Sequence, residues 1–100
     1  MLSNFSALIG NSVIPRLGVV DIEATSVGYR ISGHADNEED KMEILRNVGP
    51  IRKGQVEQAK FVTRDGVLVN ESFLVMESKF EEEQLPDHRR FMFTILLNHP

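Results

Sequence analysis

Cysteine is absent from this 100-residue sequence, which excludes a disulfide framework, a thiol nucleophile and a cysteine-based zinc site. Positive charge is scarce: 11 Lys and Arg stand against 15 Asp and Glu, for a net charge of −4. Phosphate binding draws its affinity from clustered cations, so a basic nucleic-acid footprint is excluded and no specific nucleic-acid partner is expected. No run of eighteen apolar residues occurs, so no membrane span is expected. Met1 to Gly10 lacks a basic start, and Asn4 and Ser6 break its apolar stretch. That segment does not read as a signal peptide, and a cytoplasmic origin is expected. Repeats, low-complexity tracts and Gly/Ser linkers are missing too, so residues 1–100 read as a single domain. What remains, 41% apolar and 26% charged residues, is the composition of an ordinary globular chain.

Alternation is the main signal that is present. Val27, Tyr29, Ile31 and Ala35 recur with the period of two expected of a strand with one buried face. Upstream, Val20, Ile22 and Ala24 alternate with Asp21 and Glu23, and Thr25-Ser26 breaks the run, which predicts a hairpin. Phe91, Phe93, Ile95 and Leu97 form a last alternating strand, with Met92 and Leu96 on its other face.

Asp36-Asn37-Glu38-Glu39 announces a helix. Asp36 is placed to cap the orphan amides and Glu39 to reach back, and the acidic cluster suits the positive end of the helix dipole. Ile44, Met42, Leu45 and Val48 supply the apolar stripe, and Gly49-Pro50 stops the element through a left-handed glycine cap. Asp65-Gly66, between Ala59–Thr63 and Val67–Val69, predicts a two-residue hairpin turn. Asn70-Glu71-Ser72 interrupts the following strand and predicts a bulge before Phe73–Met76 resumes it. Glu81 to Asp87 reads as a charged loop. The expected class is α+β: a mostly antiparallel, sandwich-like sheet with one packed helix. Residues 19–100 form a β-β-α-β-β-β core, and residues 1–18 an arm or a short helix near Phe5 to Ile9.

Four constellations invite chemistry, and each meets a simpler explanation. Asp36, Glu38 and Asp40 alternate like calcium ligands, but Lys41 and Asn47 stand where that loop needs glycine and glutamate, so helix capping explains them. Gly49 and Gly54 have phosphate-loop spacing, but Gln55-Val56 follows instead of Lys-Ser or Lys-Thr. His34, His88 and His99 lack any spacing that brings two onto one helix; His34 with Asp36 is the nearest approach to a metal pair. Ser32, His34 and Asp36 share the outline of a nucleophile and base, without a nucleophile elbow beside them. Arg52-Lys53 and Arg89-Arg90 are the basic pairs, read as solvated charges or partners in salt bridges between subunits. No catalytic residue, cofactor or metal is assigned.

The run Tyr29 to Ala35, the acidic helix start, the Gly49-Pro50 stop, the Asp65-Gly66 hairpin, Val69 to Val75 as a bent strand, and Phe93 to Pro100 together resemble the tail-tube-type fold of bacteriophage tail proteins. The nearest likenesses are the N-terminal domain of distal tail proteins and the small minor tail or terminator proteins. The resemblance covers about residues 19–100. It implies a non-enzymatic structural subunit that forms homo-oligomeric rings with other tail proteins as partners, in a virion tail assembled in the host cytoplasm. An acidic domain suits a conduit that passes DNA without holding it. Val67 to Phe80 and Phe91 to Leu97 would then build the inner sheet. Candidate subunit-contact residues are Phe5, Leu8 and Ile9 of the arm and Leu85, Arg89 and Arg90 around the charged loop. The alternative is a BON-like or ring-building interaction domain of a bacterial secretion or envelope system, which shares the "V-x-I-x-G" strand and acidic helix cap but normally carries two helices.

Overall fold

The computed structural model describes residues 7–14 and 20–100. Seven strands and one helix follow in the order β1 (Leu8–Ile9), β2 (Ser12–Val13), β3 (Val20–Ala24), β4 (Gly28–Ala35), α1 (Glu38–Val48), β5 (Val56–Val62), β6 (Leu68–Gln84) and β7 (Arg89–Asn98). They make one antiparallel sheet, β2-β1-β5-β6-β7-β4-β3, so the α+β, mostly β class expected from the alternation is found. Its layering differs from the expected sandwich. A single sheet curls until the turn after β5 meets the far edge, where the Arg64 amide donates to the Ile22 carbonyl at 3.0 Å. Arg64 also ion-pairs with Asp21, and its guanidinium lies 3.6 Å from Glu23.

The concave face holds the core. Phe61, Phe73 and Phe93, with Ile9, Ile14, Ile31, Ile95, Leu97 and Val75, are the large side chains fully enclosed there. Tyr29 ties the two halves together, its ring edge-on to Phe61 at 5.1 Å and to Phe73 at 5.6 Å. Burial of Ile44 and Val48, with Leu45 partly buried beside them, seats α1 on this face; Met42, expected in the same stripe, is 48% exposed.

Local chemistry corrects several expectations. Leu8-Ile9 is extended rather than helical, because Gly10 (φ +59°) turns the chain back into β2. The rest of the expected N-terminal arm or helix, Phe5 included, lies outside the described residues. The N-cap is Asn37 rather than Asp36: its side-chain oxygen accepts from the Asp40 amide at 2.8 Å. Gly49 keeps a right-handed φ of −52° and still donates to Leu45 O, so Pro50 supplies the stop. The Asp65-Gly66 turn is a three-residue loop. Thr63 O accepts from Gly66 N, Val67 O accepts from Thr63 N, and only Gly66 takes positive φ, +87°. Residues 70–72 pair regularly with β5, and the bulge falls at Met76 instead, between Val75 and Glu77. Finally, Glu81–Gln84 is strand rather than loop, and only 85–88 turn.

Candidate interaction edge and its supports

β5 ends its pairing with β6 at Val56↔Leu74, and the last bonds on that side join Val75 to Gly54 and Gln55. Beyond the Met76 bulge, Glu77–Gln84 pairs with β7 alone. Among the described residues nothing covers the other margin of this segment. Its outward amides follow from the turn. Leu85 N donates to His88 O at 2.8 Å, and antiparallel bonds alternate along a strand. Glu83, Glu81, Lys79 and Glu77 therefore bond to β7, while Ser78, Phe80, Glu82 and Gln84 present their backbone groups outward. Four residues' worth of unused ladder remain, which is what strand addition requires.

Alternation here is masked by charge. Register places Phe80 beside Phe93, and Glu82 beside Phe91, on the concave side; Glu77, Lys79, Glu81 and Glu83 line the convex side. A segment carrying four glutamates reads as a loop by composition, and Phe80 is the one apolar residue in it.

The extension is propped, not free. Phe80 stacks on Phe91 with centroids 5.3 Å apart. Lys41 of α1 donates to Glu82 at 2.8 Å and lies 5.2 Å above the Phe91 ring. Arg89 donates to the same carboxylate at 3.1 Å. The bond from Lys41 holds Glu82 below the usual carboxylate range, and Glu82 in turn raises Lys41. A groove of about 430 Å³ runs between the helix start and this hairpin, lined by Asp36, Lys41, Glu82, Arg89 and Phe91 among others.

A second support closes the tip. Arg90 Nε donates to Asp36 Oδ1 at 2.8 Å. His88 Nε2 stands 3.1 Å from the same oxygen and its Nδ1 2.7 Å from Asp87. Arg90 first, and His88 after it, hold the Asp36 carboxyl below its ordinary range. Asp87 and then Asp36 push the His88 imidazole up.

The expected contact residues divide among three settings. Leu8 is half exposed on the convex face of β1, whereas Ile9 is 1% exposed within the core and offers nothing to a neighbour in the folded chain. Leu85, Arg89 and Arg90 gather at the hairpin tip, but Arg89 and Arg90 are already engaged with Glu82 and Asp36. His34 Nε2 is 3.6 Å from Asp36, too long for a hydrogen bond. Among the described residues no bond links Ser32 to His34, and no group of three His, Asp or Glu is arranged to hold a metal ion. No described helix is long and apolar enough to cross a membrane. Comparison with protein families, curated proteins and solved structures finds no match to this chain.

Proposed function

We propose that this chain is a structural, non-enzymatic assembly subunit that builds a ring or tube of the phage tail or baseplate kind. The observation that carries this reading is the unpaired margin of β6 from Glu77 to Gln84. Past the Met76 bulge the sheet is four strands wide, β6-β7-β4-β3, with β6 on one side and β3 on the other. Seating the β6 margin of one copy on a different part of the next is a heterologous contact, which closes into a ring when the rotation allows; the β3 margin is not that part, because the Arg64 amide already occupies the Ile22 carbonyl.

The single helix among the described residues favours this reading over the BON-like alternative, which calls for two.

Light scattering tests it. Wild-type chain at high micromolar concentration is expected to form a closed oligomer. Ser78→Pro, which removes an outward amide at a position where an edge strand tolerates proline, is expected to stay monomeric with an unchanged melting temperature. A wild type that remains monomeric throughout, or a Ser78→Pro chain that assembles equally well, contradicts the proposal.

A further inference from the structure

The hairpin tip carries a device separate from the assembly edge. The turn 85–88 is joined to the β4–α1 junction, more than fifty residues earlier in sequence, chiefly through one carboxylate, Asp36. Two groups from the tip converge on it: Arg90 of β7 and the His88 ring. The other ring nitrogen of His88 faces Asp87 at 2.7 Å. Carboxylates only accept, so each ring nitrogen must carry a hydrogen to satisfy its contact, and a neutral imidazole carries only one. Both bonds exist together only when His88 is the imidazolium.

We infer that His88 is a protonation-dependent clasp, fastening the β6–β7 tip to the start of α1 when charged and releasing one of its two bonds when neutral. The surroundings are charged on every side. From its own turn His88 faces Asp87; from the β4–α1 junction, Asp36; from β4, His34, which lies 3.6 Å from Asp36. β7 brings Arg90 and Arg89, and β6 brings Glu83, whose charge acts on Arg90. Arg90 holds Asp36 ionised near neutrality, so the carboxylate is the anchor and the His88 imidazole the part of the clasp that titrates there. Loss of the proton leaves Arg90 holding β7, while the turn is retained by its backbone bond, by the one bond the neutral ring keeps, and by the Gln84 side chain, which donates to Leu85 O and His88 O.

Nuclear magnetic resonance of the full chain decides this without reference to assembly. The His88 ring is expected to titrate above the ordinary histidine value of about 6.5. The backbone amides of Leu85 to His88 are expected to lose order over that same interval. In Asp36→Asn and in Asp87→Asn the midpoint moves back toward the ordinary value. His88→Gln, whose side chain does not titrate, shows tip order that no longer changes over that interval. A wild-type midpoint at or below the ordinary value, or tip order that is constant across the titration, overturns the inference. Because both readouts come from side chain and backbone within one chain, they stand or fall independently of oligomeric state.

Discussion

Gly28 shows how little room the sheet leaves at single positions. Its backbone packs so near β7 that an added Cβ would lie 1.9 Å from the Leu97 carbonyl oxygen, a contact only main-chain movement can relieve. Gly28→Ala is therefore expected to destabilise the fold by about 1–3 kcal/mol, read as a lower urea midpoint with an unchanged slope. Phe73, fully enclosed and touched edge-on by Tyr29, should cost about 3–5 kcal/mol on truncation to alanine. Phe80 is a different case. It is partly exposed and stacked only on Phe91, and such a pair adds about 0.5–1.5 kcal/mol beyond the area it buries. Phe80→Ala should lower global stability far less than Phe73→Ala while raising amide exchange along residues 77–84. Equal losses from the two truncations would contradict the separation of core from extension.

Among the elements, the β6–β7 hairpin and α1 are coupled by ionised groups whose balance depends on pH. His88 has a raised pKa, so its contribution is complete below about pH 6.5 and fades as pH climbs through the folded value. Asp36, Asp87 and Glu82 have lowered values, so their contributions are complete above about pH 4.3 and fade as pH falls through the folded ones. The coupling is whole between those limits. Thermal melts should show the gap between wild type and Asp36→Asn widest in that interval and narrower on both sides; a gap independent of pH would refute the coupling. Much of this element structure was legible in the residues. β3, β4, α1 and β7 follow their apolar periods, most fully in β7, where Phe91, Phe93, Ile95 and Leu97 are all buried. The β1–β2 hairpin was not, because two-residue strands have no period; only Gly10-Asn11 marked the turn. The end of β6 was hidden because propped strands can carry glutamate on a face that burial would reserve for apolar residues. Asp36 with His88 and Lys41 with Glu82 join residues dozens of positions apart, and no local pattern announces them.

For the whole molecule, the curl of the sheet determines which margins remain usable. β3 is stoppered at Ile22 by Arg64, β2 is two residues long, and the eight residues of β6 beyond the bulge are left open. The most direct measurement of the assembly account is amide hydrogen exchange at Ser78, Phe80, Glu82 and Gln84, followed as protein concentration rises from nanomolar to high micromolar. The account predicts that these four amides exchange freely in the dilute chain and become protected together as oligomers form. Oligomers that leave all four exchanging as in the dilute chain would contradict it.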